Sequence, residues 1–140
     1  GVSKTDSWGR LYRYSATPVF TNSGTGTGIK PSLSSPGDIT VKNDNSAANI
    51  ATAIPALVMS HGKNGYYATI PDAAAAIADD SATNTDEDTN GAAAGTTFVS
   101  KAITDNTDNI SNPGGEFDDL VTWLSPNILF NRMVAAGKLP

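Results

Sequence analysis

The residues with the clearest capacity for chemistry form a short acidic segment in the second half of the chain. Asp86, Asp88 and Asn90 alternate and are followed by Gly91, in the pattern D-x-D-x-N-G. In calcium-binding loops, oxygen ligands two residues apart converge on one hard cation, and the glycine lets the loop turn sharply. The bidentate glutamate expected at the twelfth position of such a loop is replaced by Thr97. Two interpretations stay open: a calcium loop and a solvated acidic turn.

Other aspartates would complete a cation site only if the fold brought them close in space. The candidates are Asp79, Asp80, Asp118 and Asp119. Asp118 and Asp119 are adjacent, and adjacent side chains on a strand point to opposite faces. We therefore do not predict that they are the paired catalytic carboxylates of a glycosidase, because those two groups must face one substrate. We expect this pair to place charge on an edge strand and so to block unwanted strand pairing.

The single histidine, His61, follows Ser60, so the residue types of a Ser-His-Asp triad are present. On a strand, however, these two neighbours point in opposite directions. The chain also lacks the G-x-S-x-G pattern of a nucleophile elbow. We therefore predict that the protein is not an enzyme, and that His61 lies in a turn and binds a backbone carbonyl.

Composition limits the class of partner. The 140 residues fit one domain, residues 1–140, and carry a net charge of -5. Arg10 and Arg13 are the closest basic pair. The shortage of clustered positive charge argues against nucleic acid and against anionic lipid as partners, since both require a positive surface. The absence of cysteine excludes disulfides and thiol chemistry, and no apolar run reaches the roughly 18 residues that cross a bilayer.

The elements that must position these residues are short. Apolar and aromatic patterns predict strands at 10–15, 38–42, 56–60, 96–101 and 117–124, with 56–60 in the centre of the sheet. Short helices are predicted at 47–53 and 71–78, and loops at 21–28, 79–95 and 102–115. Residues 61–65 (HGKNG) have the Asn-Gly signature of a tight turn.

The strongest local signal predicts a helix at the end of the chain. Ser125 is a good N-cap and Pro126 suits the first helical position. Leu129 and Met133 are spaced four apart, and Gly137 suits a left-handed C-terminal cap. The fold class predicted is α+β, an antiparallel sheet of four to five strands with long loops and this short helix. Because such a sheet buries at least one face, and the helices here are too short to cover it, we expect a helix from elsewhere to pack on it.

Three segments carry a resemblance to a known family. Residues 5–14 (TDSWGRLYRY) resemble the D-x-W-G-x-x-Y-x-Y segment that opens the sheet of many bacterial prepilin-type proteins. Residues 117–127 (FDDLVTWLSPN) resemble their closing strand, and 129–140 and 60–65 are similar to one Gram-negative subgroup. The chain therefore resembles the globular head of a type IV pilin or of a type II secretion pseudopilin.

The resemblance implies a structural subunit that assembles into a filament, a pilus or pseudopilus, outside a Gram-negative cell or in its periplasm. Its partners would be copies of itself, other pilin subunits and an apolar N-terminal helix. That helix is not in this chain, and we expect it upstream or on a separate short chain, as the only contact with a membrane. The C-terminal cysteine pair of many type IV pilins is also missing, so the C-terminal helix or a metal would fix the last segment.

A second class of function stays open. Six aromatic residues could form a sugar-binding platform: Trp8, Tyr12, Tyr14, Tyr66, Tyr67 and Trp123. The chain would then be a secreted β-rich module that binds a carbohydrate or a surface. We favour packing in the core and at interfaces for these side chains, because aromatic residues dominate both.

Overall fold

The computed structural model of the protein describes residues 3–21, 31–45, 48–73, 75–79, 81–105, 107 and 111–138. Apart from residue 21, the loop predicted at 21–28 lies outside the described residues. The described part forms six strands and three helices. The strands are β1 (Arg13–Ala16), β2 (Ile39–Lys42), β3 (Asn49–Ile54), β4 (Ala56–Ser60), β5 (Thr97–Val99) and β6 (Leu120–Leu124). The helices are α1 (Pro18–Thr21), α2 (Thr85–Gly91) and α3 (Pro126–Ala135).

The strands form two sheets of three, in the orders β1-β4-β6 and β3-β2-β5. The first sheet is antiparallel throughout, with Tyr14 opposite Val58 and Val58 opposite Thr122. The predicted central position of 56–60 is confirmed, because β4 lies between the other two strands. Along β4, Leu57 and Met59 are buried while Val58 is exposed. One face of this sheet therefore points into the core and the other points outward.

The second sheet is mixed. β2 runs antiparallel to β3, with Ile39 opposite Ile54, and parallel to β5, with Val41 opposite Phe98. The register of β2 on β3 shifts between Ile39 and Val41. Ala53 lies beside this irregularity with φ 55°, in the left-handed region. An extra residue that bends one strand in this way is the mark of a β-bulge.

The two sheets share one hydrophobic core. Its buried members are Ile39, Val41, Ile54, Leu57, Met59 and Phe98. Ala51 and Val121 pack against it as partly buried neighbours. Both sheets contribute to this cluster, so the removal of its apolar surface from water holds them together.

The α+β class agrees with the sequence, but the single sheet of four to five strands does not. Two predicted helices are also wrong. The segment 47–53 contains strand β3, which pairs with β2, and the described residues of 71–78 form a turn and a bridge between Thr69 and Ala76. Alanine has the highest helix propensity, but propensity is a small free energy that tertiary contacts override, as the pairing of β3 with β2 does here.

The exposed loop predicted at 79–95 is wrong as well, because it contains helix α2. Asp86, Glu87 and Asn90 of this helix are buried. At the other end of the chain, the predicted C-terminal helix is confirmed as α3, with Pro126 in its first turn and Gly137 at φ 64° just beyond it. None of the residues of α3 is buried. This helix does not close the outer face of the first sheet with a packed apolar side.

Candidate functional site

Helix α2 turns unusual side chains toward the protein interior. Asp86, Glu87 and Asn90 are each no more than 1% exposed, although all three are polar. Acidic residues in the first turn suit the positive end of a helix dipole, which favours a helix at this segment. What fixes the helix is its set of partners from distant parts of the chain, described next.

Three carboxylates come together where α2 meets the residues that precede β6. One ligand oxygen each from Glu87, Asp118 and Asp119 lies within 4.8 Å of the others. Glu87 and Asp119 are buried, and Asp118 is partly buried. We call these three residues the carboxylate cluster. A buried acidic cluster of this kind could hold a metal ion, since carboxylate oxygens are the preferred ligands of hard cations.

Glu87 accepts hydrogen bonds from three residues. Asn64 Nδ2 lies 3.1 Å from Oε1 and 2.9 Å from Oε2, and Asn84 Nδ2 lies 3.2 Å from Oε2. The backbone N–H of Asp118 donates to Oε1 at 2.8 Å. Burial raises the pKa of Glu87 to about 7; the bonds from Asp118, Asn64 and Asn84 oppose the rise, and the charge of Asp119 adds to it.

The two aspartates are held by the 61–65 turn and by α2. The backbone N–H groups of Lys63 and Asn64 both donate to Asp118 Oδ2 at 2.8 Å. Asn90 Nδ2 donates to Asp119 Oδ2 at 2.8 Å. The carboxylate cluster therefore joins three segments that are far apart in sequence.

Several polar atoms at this site have no hydrogen-bond partner among the described residues. They are His61 Nδ1, Asn84 Oδ1 and Asp118 Oδ1, all buried. His61 Nδ1 lies 3.6 Å from Asp119 Oδ1, so its ring faces the carboxylate cluster. An unpaired buried acceptor is costly, and native proteins rarely leave one without a protein, water or ion partner.

The residues of the predicted calcium loop lie elsewhere. Asp86, Asp88 and Asn90 lie on helix α2 rather than in a loop. Asp86 accepts from Lys101 Nζ and from the backbone of Asn45, whereas the exposed Asp88 accepts from Tyr67 Oη. Each of the two aspartates therefore has a protein donor of its own, and the cation site predicted on Asp86, Asp88 and Asn90 stays a prediction.

Asn90 has a structural role in the fold. Its Oδ1 accepts from the N–H of Val99 at 2.7 Å, and its Nδ2 donates to Val99 O at 3.0 Å. The amide thus continues the strand pairing of β5 by way of a side chain. This use of both its donor and its acceptor ties α2 to the second sheet.

The prediction that Asp118 and Asp119 diverge on a strand is wrong. Both precede β6, and both contribute an oxygen to the carboxylate cluster. Both were expected from the sequence as residues that could complete a cation site, whereas Glu87, Asn64 and Asn84 were not. The one signal for Glu87 was its position between the two aspartates of the motif. Asp79 bonds Ser81, Asn84 and Tyr67 instead, and Asp80 lies outside the described residues.

Ser60 and His61 are not paired with each other. Ser60 Oγ donates to Asp6 Oδ2 at 2.6 Å, while His61 faces Asp119. The predicted bond from His61 to a backbone carbonyl is not seen on Nδ1, which has no hydrogen-bond partner in the described part of the chain. The arrangement of these two residues therefore differs from a nucleophile and its base, which must be hydrogen-bonded or close to it.

A second feature with functional potential is the outer face of the β1-β4-β6 sheet. Tyr14 is 66% exposed, Leu120 50% and Val58 37%. From the register, this face carries Tyr14, Ala16, Ala56, Val58, Ser60, Leu120, Thr122 and Leu124. None of these eight side chains is charged. We call this set the apolar sheet face.

Two shallow cavities lie along the apolar sheet face. One of about 310 Å³ is lined by Trp8, Tyr12, Val58 and Leu120 among others. The other, of about 360 Å³, includes Tyr14, Ala56, Val58 and Trp123. Contiguous exposed apolar surface with concave parts is typical of sites where another protein segment binds.

Comparison with models of protein families, with curated proteins and with solved structures finds no match to this chain. Within the described residues, no helix is both long and apolar enough to span a membrane.

Proposed function

We propose that this protein is a structural subunit of an extracellular or periplasmic filament of the type IV pilus or type II secretion pseudopilus kind, and that it acts by assembly rather than by catalysis. The observation that carries the proposal is the apolar sheet face. Its large side chains Tyr14, Val58 and Leu120 are exposed, and we expect them to be covered in the functional state, since exposure of apolar surface to water is unfavourable. The bond between Ser60 and Asp6 supports a non-catalytic role for the one serine beside the histidine.

The proposed occupant of the apolar sheet face is an apolar α-helix, the pilin N-terminal helix, from upstream or from a separate chain. Three strands about 4.8 Å apart span roughly 10 Å, close to the 10–12 Å diameter of an α-helix with its side chains. The small side chains of Ala16 and Ala56 lie opposite each other in one row, and they let a helix approach closely. Bulkier Tyr14 and Leu120 stand elsewhere on the face.

The lack of charge on the apolar sheet face favours a helix over a charged partner. None of the eight side chains of the face is acidic or basic, and Asp6, which lines the first cavity, already accepts hydrogen bonds from Ser60, Trp8 and Arg10. Side chains spaced three or four apart on that helix would enter the two cavities, one bounded by Tyr12 and Leu120 and the other by Tyr14 and Trp123. In this arrangement the second sheet faces neighbouring subunits or the medium.

The location and partners follow from the same proposal. The filament would lie on the surface of a Gram-negative cell or in its periplasm, and the subunits would bind copies of this chain and other pilins. Contact with a membrane would occur only through the helix. Only 16% of residues are charged, so heads can pack side by side at a small desolvation cost. Many weak contacts between copies then add up to a stable filament.

Calcium belongs to this proposal as a structural ion. The chain has no cysteine, so no disulfide can fix the segment that leads into β6. A cation bound to carboxylates from two segments would fix it instead, because binding to the folded state alone stabilises that state.

A carbohydrate- or surface-binding module is the alternative that one observation favours. Trp8 is 45% exposed and Tyr12 43%, and both line one cavity with Val58, which lies opposite the exposed Tyr14. Neighbouring exposed aromatic rings can stack on sugars as well as on a helix. Binding of the isolated domain to an array of glycans separates the two functions: retention of a glycan class supports the alternative, and the absence of binding supports the filament.

The filament proposal is tested in cells that carry the natural gene. Val58→Asp places a charge at the centre of the apolar sheet face, at a position already 37% exposed, so the fold should tolerate it. We expect sheared filaments, measured by immunoblot and electron microscopy, to fall at least tenfold. Normal filaments from this variant would contradict the proposal.

Ile50→Asp is the matched control. Ile50 is an exposed β-branched residue in a strand, 52% exposed, but it lies on β3 in the second sheet. This variant should form filaments much closer to the wild-type amount. Equal loss in both variants would mean that charge anywhere on the head blocks assembly, and the apolar sheet face would lose its assigned role.

A further inference from the structure

We infer that copies of this chain contact one another head to tail, with the outer side of helix α3 of one copy in a cavity beside Trp8 of the next. The cavity measures about 320 Å³ and is lined by Trp8, Ile103 and Phe117 among others. We call it the Trp8 cavity. The contact rests on the proposed function, since it is the one that would join neighbouring subunits of the filament.

The Trp8 cavity has a buried apolar floor and an exposed apolar rim. Phe117 is completely buried, whereas Trp8 is 45% exposed and Ile103 65%. Thr104 and Phe117 exchange two backbone hydrogen bonds of 2.8 Å, so the segment that carries Ile103 is held beside the floor. The cavity is therefore formed within one chain, and its exposed apolar rim favours a partner that covers it.

Helix α3 presents an apolar residue and a cation on its outer side. None of its residues is buried, and Ile128 is 55% exposed. The rings of Phe130 and Phe20 lie 6.1 Å apart, centroid to centroid, which directs that side of the helix toward its own chain. Ile128 is two residues from Phe130, so at 3.6 residues per turn it lies on nearly the opposite side. Arg132 follows Ile128 by four residues and shares its side.

The charges of the two surfaces are complementary. Three carboxylates line the Trp8 cavity, those of Asp105, Glu116 and Asp118, against one ammonium group, that of Lys63. Its lining therefore carries a net charge of -2, one positive group minus three negative groups. Helix α3 contains Arg132 and no acidic residue, so its net charge is +1. Opposite charges around an apolar contact select the partner and its orientation.

The two surfaces lie beyond opposite ends of β6. Phe117 precedes this strand and α3 follows it, with the five residues Leu120–Leu124 in between. The contact therefore has to form between two chains. A contact between different surfaces of identical copies is heterologous, and it repeats into an open chain unless the rotation closes a ring. A filament requires such an open chain, whereas a two-fold contact ends at a dimer.

Disulfide trapping tests the contact in the isolated chain, which has no cysteine of its own. Chains with Ile103→Cys and chains with Ile128→Cys are mixed at millimolar concentration and oxidised, and the linked peptides are identified by mass spectrometry. We expect links between 103 and 128 to exceed links between like positions about fivefold. In the matched control, Ile50→Cys on β3, at a position 52% exposed, replaces Ile103→Cys and should link to 128 only at the rate of random collision.

Two results would overturn the head-to-tail contact. An excess of links between like positions would mean a two-fold contact, and equal yields for all pairs would mean random collision. Because the isolated chain is used, neither result depends on filament formation. Preferred links between 103 and 128, together with normal filaments from Val58→Asp, would leave this contact standing and overturn the assigned role of the apolar sheet face.

An exchange of charges tests the partners within the contact. Arg132→Glu in the Ile128→Cys chain should lower the yield of links between 103 and 128 about threefold. Asp105→Lys in the Ile103→Cys chain should then restore the yield, because opposite charges again face each other. Both positions are exposed, so the fold should tolerate the changes. A loss without recovery would show that Arg132 and Asp105 do not face each other and would overturn the contact.

Discussion

Ser60 Oγ donates a hydrogen bond of 2.6 Å to Asp6 Oδ2, and this bond ties the segment before β1 to the end of the central strand β4. The other oxygen of Asp6 accepts from the backbone N–H groups of Trp8 and Arg10, at 3.0 and 2.9 Å. The aspartate of the D-x-W-G segment therefore shapes a turn and anchors it to the sheet. That turn carries Trp8 to the edge of the apolar sheet face.

Replacing Asp6 by alanine should destabilise the protein. The change removes three hydrogen bonds to a buried carboxylate, and such charge-assisted bonds are worth roughly 1.5–3 kcal/mol each at most, without being additive. We expect the free energy of unfolding to fall by about 2–4 kcal/mol in urea at neutral pH. Asp105→Ala, at an exposed position, is the control and should change it by less than about 0.5 kcal/mol.

Asp6 should also account for part of the loss of stability in acid. Burial opposes ionisation of Asp6, but the hydrogen bonds from Ser60, Arg10 and Trp8 outweigh it, so its pKa is lowered from the usual 3.8. A carboxyl group with a lowered pKa stabilises the folded state above 3.8, and that contribution is lost as the pH falls through the lower, folded value. Asp79 also has a lowered pKa, with burial opposing and hydrogen bonds led by Ser81 favouring ionisation, so it contributes in the same window.

We therefore expect unfolding free energy to drop steeply below pH about 4 in the wild type and less steeply in Asp6→Asn. Urea unfolding at a series of pH values between about 2 and 5 measures the two slopes. Identical slopes would show that Asp6 titrates alike in the folded and unfolded chain, against the prediction.

Gly62 should not tolerate alanine. It lies at φ 59°, and a Cβ there would be 2.1 Å from Asp118 Oδ1 and 2.3 Å from Asp118 O. Gly9 is the matched control, because its φ is 79° and nothing lies within 4 Å of an added Cβ. Gly9→Ala should cost roughly 1–2 kcal/mol of stability from backbone strain alone, and Gly62→Ala clearly more. Equal losses in thermal or urea unfolding would mean that the turn moves away from Asp118 freely.

Asn90→Ala tests the structural role of the Asn90 amide. The variant leaves the N–H and carbonyl of Val99 without the Asn90 partner and removes the bond to Asp119. Because unsatisfied buried groups cost about 1–3 kcal/mol each, we expect a loss of about 2–4 kcal/mol in urea. Thr89→Ala serves as the control, since its hydroxyl bonds only the Thr85 carbonyl of its own helix. A wild-type midpoint for Asn90→Ala would refute this role.

Elements with a complete local signal can be predicted from the amino-acid sequence alone. β2, β4 and β5 follow from short apolar runs, and α3 follows from Pro126 in its first turn and Gly137 beyond its end. In these segments each residue's own backbone preference and its apolar spacing agree, so no distant partner is needed to recognise them. The α+β class and the central position of β4 could be predicted for the same reason.

The remaining features depend on contacts between segments that are distant in the chain. Helix α2 has no apolar stripe, because its inward residues are Asp86, Glu87 and Asn90, whose partners Lys101, Asn64 and Val99 lie far away in sequence. β3 is a strand because it pairs with β2, against the helical preference of its alanines. The carboxylate cluster likewise joins residues 87, 118 and 119 across the fold. Contacts of this kind depend on which segments lie close together in the folded chain, and the local sequence of each segment does not specify its distant partner.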